Sequence, residues 1–553
     1  MPNAAILDFE SKRVELRFKR LANRLFAFMD WPELAHVGLS GLSVFIDSVG
    51  QDPTDPDSRA WAGLENEFVE WLLLDYVDAD VGATAASMFL ASPDNDLADW
   101  EVASLQQWAD SAPRLYEIVE RLSDSRLLLR DVMSNDVYLV VSPQMSASAL
   151  KWSLYVARLL RVDDVYTVGA MAALLPRRML GYLWRMLGHV YRGMKAQGYS
   201  GDIDDFLKGS ALNLMKIMRA FSVTDDGDDE DDDDDAGASR SDTSLACLEV
   251  QMAGADANAA LEAFSALAPV RPAGDGYVWV RLPRKDDFAG VAMYGRSDIA
   301  YIKPVDGGVR IYCTGRGVPA SVADALRRLS RRASVLGGGR RPQGSRQEAA
   351  KRVRKPEGHE AKEALEVIDG LLSELSRNHY ATWVDRPMPV LRGETPRTAT
   401  RMHAGRRLVE ELLKDIEYHE DLKRRAGLPW VDVEAMCRGP LAEALSSETA
   451  PADKHEAAVR AVEALLDEKM RLDGYSSEQV YHAAKMWNDF AAMARPRIVH
   501  APIWAAAAEY ASATAQKEPV TQASIASKYQ VSVSSVSQRS RQISRALRQR
   551  ARQ

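Results

Sequence analysis

Cysteine is nearly missing from this sequence: Cys247, Cys313 and Cys437 are the three in 553 residues, far apart and without a C-x-x-C pair. That usage leaves a zinc ribbon unsupported, argues against a disulfide framework and fits a reducing cytoplasm. Long apolar runs are missing too. The longest, such as WLLLDYV from Trp71 to Val77, fall well short of the roughly 18 residues a membrane span needs, so no membrane partner is expected. The opening MPNAAILDFESKR has no basic start followed by an apolar core and does not read as a signal peptide. Catalytic and cofactor signatures are also lacking. No nucleophile elbow, H-E-x-x-H, EF-hand spacing, G-x-G-x-x-G or G-x-x-x-x-G-K-[ST] occurs, and Gly315-Arg316-Gly317 reads as a turn. The nine histidines are dispersed. The pairs His379/Tyr380, Asp415/Glu417 and His419/Glu420 read as solvated helix faces or loops, and Asp163-Asp164 as a strand turn. The expectation is therefore no catalytic residue, no metal set, no cofactor and no enzyme activity.

What is present is an ordinary globular composition, 46% hydrophobic and 27% charged, which excludes a wholly disordered or fibrous chain. The net charge of −9 misleads as an average, because positions 225–235 (DDGDDEDDDDD) hold ten acids in eleven residues. Adjacent carboxylates repel and have no apolar residue beside them to offset ordering entropy, so this tract reads as a solvated linker. A second composition break, Arg327 to Lys355, carries eleven Lys/Arg, one Glu and a Gly-Gly-Gly. It reads as a mobile basic linker, with a phosphate-contacting arm as the other reading. A third lies at SSETAPADKHE, Ser446 to Glu456. These breaks give a helical domain with a small β insertion at 1–224, an acidic linker at 225–242 and a small α+β domain at 243–332. A basic linker at 333–358, a helical segment at 359–446 and a helical domain at 453–553 follow. No repeat with a period of 20–50 residues is evident.

The fold class expected is multidomain and mainly α, with small antiparallel β modules (α+β). In SKRVELRFKRLANRLFAFMDW, Val14, Phe18, Leu21, Leu25 and Phe28 recur at helical spacing. FVEWLLLDYV and RRMLGYLWRMLGHVYRGM are helical as well. Between them RLYEIVE, RLLLRDVMSNDVYLVV and LKWSLYVARLLRVDDVYTV read as short strands turning at Ser134-Asn135-Asp136, which suits a small curled sheet or barrel. Aromatic stripes here read as core. Residues 275–314 read as an antiparallel sheet, GYVWVRLP, GVAMYG and DIAYIKPVDGGVRIYCTG, with a hairpin at Asp306-Gly307-Gly308; VPASVADALRRLSRR then reads as a helix.

From Glu360 to Leu445 the pattern is helical, interrupted by HYATWVDRPMPVLRGETPRTA. Its prolines and Gly393 force an extended loop ending in a capped helix, with Thr395 as N-cap and Pro396 at the first position. The residues Trp383, Asp385, Pro387, Pro389, Leu391, Gly393, Thr395, Pro396 and Ala399 sit as in the pattern W-x-D-x-P-x-P-A-L-x-G-x-T-P-x-x-A. Over some 35 residues the segment resembles bacterial proteins related to the MbcA/ParS/Xre antitoxin toxin-binding domain, a pattern also found beside SEC-C zinc motifs. The SEC-C cysteines and histidine are absent here, so no metal carries over. The resemblance implies partner binding through 360–445, with an apolar groove expected beside Trp383 and Trp430.

The last stretch, Val520 to Gln553, has seven basic residues and no acid. A helix-turn-helix needs a close helix crossing, apolar anchors and a second helix with a short polar or basic outer face. Ile525 and Ala526 supply the buried face of the first helix, Tyr529 ends it, Val531 anchors the turn and Ser532 is an N-cap. The second helix is expected to bury Val533, Val536, Ile543 and Leu547, with Ser540 as a further candidate. Ser534, Ser535, Gln538, Arg541 and Arg545 are then left exposed, with Arg539 at the flank and Arg548 in the Arg-rich tail. Short hydroxyls and Gln approach base edges, and Arg contacts guanine or phosphate. PIWAAAAEYASATAQKEPVTQASIASKYQVSVSSVSQRSRQI resembles the closing helices of the cyclin-like repeat of transcription factor IIB, and equally a prokaryotic family of uncharacterised C-terminal helical domains. Pro502, Ala506, Ala507, Tyr510, Thr521, Gln522, Ile525, Ala526, Val531, Ser532, Val536 and Arg539 match. Gln530 stands where the pattern prefers Gly, a left-handed position that costs a non-Gly residue about 1 kcal/mol. The resemblance implies an all-α cyclin-like helix-turn-helix domain.

The function expected is that of a cytoplasmic DNA-binding regulatory or nucleoid-acting protein, with Ser532, Ser534, Ser535, Gln538, Arg539, Arg541, Arg545 and Arg548 as the nucleic-acid-binding set. The alternative is a non-catalytic interaction scaffold or adaptor, antitoxin-like or defence-associated. The oligomeric state is not legible.

Overall fold

The computed structural model describes residues 4–29, 31, 34–49, 64–93, 95–177, 179–222, 245–251, 270–280, 299–305, 308–314, 352–354, 358–446 and 453–550. The acidic tract, the strand read at GVAMYG, the turns at 306–307 and 315–317, the helix read at VPASVADALRRLSRR and most of the basic stretch lie outside the described residues. Two compact units form. One takes Met1–Glu230, Met402–Leu408 and Glu448–Gln553, the other Asp231–Arg401 and Val409–Ser447. The mixed α+β class is as expected.

The first unit begins with helices α1 (Ala4–Phe28), α2 (Ala35–Val49), α3 (Glu65–Leu74), α4 (Ala85–Ala91) and α5 (Asp99–Asp110). Five strands follow: β1 (Arg114–Arg121), β2 (Arg126–Asp131), β3 (Val137–Val141), then, after helix α6 (Pro143–Ser148), β4 (Leu154–Val162) and β5 (Val165–Leu175). They close into a barrel in the order β1-β2-β3-β5-β4, with a single parallel pairing, β3 to β5. Two turns close hairpins with a non-Gly residue at positive φ, Asn135 (65°) between β2 and β3 and Asp163 (57°) between β4 and β5. Asn and Asp tolerate that conformation better than other side chains do. β4 is buried almost end to end because both its faces are covered. Tyr155, Ala157 and Leu159 fill the barrel, Leu154 and Val156 meet the helix that follows, and Leu160 and Val162 meet α1 and α5. That next helix, α7 (Met179–Ala196), lays Leu180, Leu183, Trp184, Leu187 and Tyr191 on the barrel. It is followed by α8 (Ile203–Gly209) and α9 (Ala211–Ser222). Fully buried Arg158 joins the barrel to α3, donating to Glu70 at 3.0 Å, to the Ser111 carbonyl at 2.6 Å and to Asp75. Burial raises the carboxyl pKa of both Glu70 and Asp75, and the guanidinium opposes that shift.

The second unit holds a six-stranded antiparallel sheet of β6 (Leu245–Gln251), β7 (Val270–Ala273), β8 (Gly276–Val280), β9 (Ile299–Val305), β10 (Gly308–Thr314) and β11 (Arg352–Arg354), in the order β11-β6-β10-β9-β8-β7. Part of the stretch read as a basic linker is thus a strand, with Arg352 opposite Glu249 and Arg354 opposite Cys247. Helix α10 (Gly358–Trp383) packs Ala364, Ile368 and Leu372 against the sheet. The Pro-rich loop then closes on itself, Gly393 N donating to the Met388 carbonyl and Met388 N to that of Glu394. Gly393 sits at φ 81°, where a side chain would be strained. Thr395 Oγ1 accepts from Thr398 N at 3.1 Å and caps α11 (Pro396–Ala399), with Pro396 in its first turn.

Helix α12 (His403–Arg425) follows, and beyond it α13 (Ala442–Ser446). Here the surface reading of His379/Tyr380 and His419/Glu420 fails, since His379, Tyr380 and Glu420 are buried. Glu420 accepts from the Tyr380 hydroxyl at 3.0 Å, from Lys423 Nζ at 2.6 Å and from Val431 N at 2.8 Å. Sequence spacing could not pair residues 40 positions apart. Trp383 is fully buried and therefore lines no exposed groove; Trp430 is half exposed.

The chain returns to the first unit with α14 (Lys454–Leu472), α15 (Ser477–Ala494), α16 (Ala501–Ala515), α17 (Gln522–Lys528) and α18 (Val533–Arg550). α16 is largely apolar and is buried from Trp504 to Glu509 and from Ala511 to Ala513, as a central helix must be. Its alanines let neighbouring helices approach closely, while the Trp504 ring packs at a tilt against Trp487 and Phe490, both at 5.6 Å between ring centroids.

Candidate nucleic-acid interface

α17 starts on a side-chain cap, Thr521 Oγ1 accepting from Ser524 N at 3.0 Å, and buries Ile525 and Ala526. Tyr529 closes it. Gln530 then takes φ 54°, and Val531 N donates back to the Ala526 carbonyl at 2.9 Å, the hydrogen bonding of a left-handed helix stop. Ser532 Oγ accepts from Ser535 N at 3.2 Å and so caps α18.

α18 is anchored by Val536, Ser540 and Ile543, all buried, with Leu547 half-buried. Val533, expected in that set, is 45% exposed. It is the first residue of the helix, and side chains lean toward the helix N-terminus, which here points past the packed turn. Opposite the anchors, Ser534, Gln538, Arg541, Arg545 and Arg548 are all exposed. At about 100° per residue they fall within roughly 80° of arc, one straight polar stripe. None of the three arginines pairs with a carboxylate among the described residues.

The remaining expected residues are placed differently. Arg539 is drawn off the stripe, its guanidinium 4.7 Å from the centre of the Trp504 ring and bonded to Gln542 Oε1 at 2.8 Å. Such a cation–π contact fastens α18 to α16. The hydroxyls of Ser532 and Ser535 bond each other at 2.8 Å, so both serve the helix start. Lys528, one of the seven basic residues counted above, is held by Glu509 at 2.6 Å and Asp473 at 2.7 Å. Glu509 is fully buried and also accepts from Tyr529 at 2.8 Å. Sequence reading missed this carboxylate. Its signal is one acid in the otherwise apolar and small run WAAAAEYASA, where a buried charge demands a partner.

Behind the motif, α7 reaches the loops of these helices. Arg192, buried, donates to Glu518 at 2.6 Å and to the Gly474 carbonyl at 3.1 Å, and its guanidinium lies 3.8 Å from the centre of the Tyr475 ring. Gly188 is required at that crossing, because a Cβ there would meet the Gly474 carbonyl oxygen at 2.1 Å.

Compared with known protein families, curated proteins and solved structures, the chain returns no match. No described helix is long and apolar enough to cross a membrane.

Proposed function

We propose that this chain is a DNA-binding regulatory or nucleoid-acting protein of the cytoplasm, working by binding rather than catalysis. The five helices α14–α18 are read as a cyclin-like unit resembling the transcription factor IIB repeat, with α17 and α18 as its helix-turn-helix. α18 docks in a major groove, which is wide enough for one α-helix. Ser534 and Gln538, near its start, face base edges, while Arg541, Arg545 and Arg548 face phosphate or guanine. The observation that carries the reading is the single exposed stripe of these five residues, opposite a buried anchor line and free of carboxylates among the described residues. A helix of 18 residues spans about 27 Å, enough to follow the groove across its width.

The test is a mobility shift of the full chain on a generic duplex at low and high salt. Binding is expected at low salt and falls steeply as salt rises, through counterion release. Changing Arg541, Arg545 and Arg548 together to Ala flattens log K against log salt by about one unit for each phosphate that is no longer neutralised. Absence of binding at low salt, or an unaltered slope in the triple variant, overturns the reading. The adaptor alternative retains one surface handle in the segment 360–445, half-exposed Trp430, against whose ring Arg424 lies at 5.7 Å.

A further inference from the structure

We propose that His36, Asp78 and Asp80 bind one divalent cation of borderline hardness, of the zinc class, far in sequence from the helix-turn-helix. His36 stands in the first turn of α2, and the two aspartates lie in the loop between α3 and α4. One ligand atom from each can be chosen so that all three lie within 4.8 Å of one another.

Asp78 is what makes this more than a surface acidic cluster. Its side chain is only 4% exposed. Among the described residues no Lys or Arg pairs with it, and its ionisable partner there is His36. A buried carboxylate is normally paired with a cation or coordinates a metal, and neutral imidazole supplies no compensating charge. Asp78 Oδ1 is held in place by Asp80 N at 3.0 Å and Val81 N at 3.2 Å, whereas Oδ2 has no hydrogen-bond partner among the described residues.

The separation of the two elements supports the same conclusion. His36 Nε2 lies 3.7 Å from Asp78 Oδ1, beyond hydrogen-bonding distance. Two ligands on one ion, each with a bond of about 2.0–2.2 Å, stand roughly 3–4 Å apart. One imidazole nitrogen with two carboxylate oxygens suits zinc, manganese or cobalt better than calcium, which takes oxygen alone. Three protein ligands leave at least one position for water. Bound there, the ion ties the start of α2 to the α3–α4 loop.

The full chain, stripped with a chelator, is titrated with Zn²⁺ by calorimetry and with Co²⁺ by visible absorption, beside His36→Ala and Asp80→Asn. Both substitutions fall at exposed positions, and either one alone decides the matter if the other perturbs folding. The acidic run at 225–235 offers oxygen ligands only and is common to all three proteins, so the site is read from the difference between them. The expected result is a zinc-binding event that each variant weakens by about tenfold or more, together with a nitrogen-dependent cobalt absorption lost in His36→Ala. Superimposable titrations for the three proteins overturn the proposal.

Discussion

At the scale of single residues, the buried ionisable groups decide more than the exposed ones. His379 has its pKa lowered to about 4, chiefly by burial and then by Arg386 and Lys423. In the unfolded chain an imidazole titrates near 6.5, so between about pH 6.5 and 4 the unfolded state binds the proton and the folded state does not. Stability therefore rises with pH through that window, by at most about 1.4 kcal/mol per pH unit from this one group. Urea unfolding of the full chain, compared with His379→Gln, is expected to show the steeper pH dependence in the natural sequence; equal slopes refute the assignment. Glu509 is the second such residue. Glu509→Gln keeps the shape but removes the charge facing Lys528, which then keeps Asp473 as its ionic partner among the described residues. A loss of about 2–3 kcal/mol is expected from a buried charged hydrogen bond, measured as a lower denaturation midpoint.

At the scale of elements, α18 separates what holds it from what it offers. Ile543 is fully buried and Arg541, two positions before it, is exposed. Ile543→Ala should cost about 2–5 kcal/mol by opening a cavity between α18 and its neighbours, and DNA binding should fall with it. Arg541→Ala should leave stability within about 0.5 kcal/mol while weakening binding. Thermal melts and mobility shifts on the same two variants check this, and a stability loss in Arg541→Ala would show that the arginine supports the fold instead. The start of α18 was legible because an N-cap is a local device, Ser532 to Ser535. The exposure of Val533 was not, because it depends on where the packed turn ends rather than on the apolar character of the side chain.

At the scale of the molecule, the first unit joins segments from both ends of the chain, and Arg192 is a buried group at that join. Arg192→Met removes the cation from Glu518, whose side chain is 8% exposed, and leaves that carboxylate buried with Gln479 and half-exposed His189 as side-chain partners. A penalty of about 3–5 kcal/mol is expected for such an uncompensated charge. Glu518→Gln added to it should recover part of that loss, the sign of direct coupling in a double-mutant cycle. Additive losses in the cycle would mean that the two do not act as a pair.

The sequence by itself determined the features whose signal lies within a few residues. These are the hairpin at Asp163-Asp164, the caps at Thr395 and Ser532, the left-handed Gln530, and the helical periodicity that sets Val536 and Ile543 opposite Arg541 and Arg545. Only the tertiary structure decided which charges are neutralised. It sets Lys528 on Glu509, Arg539 on Trp504, Tyr380 on Glu420 and His36 beside Asp78. Backbone conformation is governed by neighbours along the chain, whereas the protonation and exposure of a side chain depend on distant segments that share no local pattern with it.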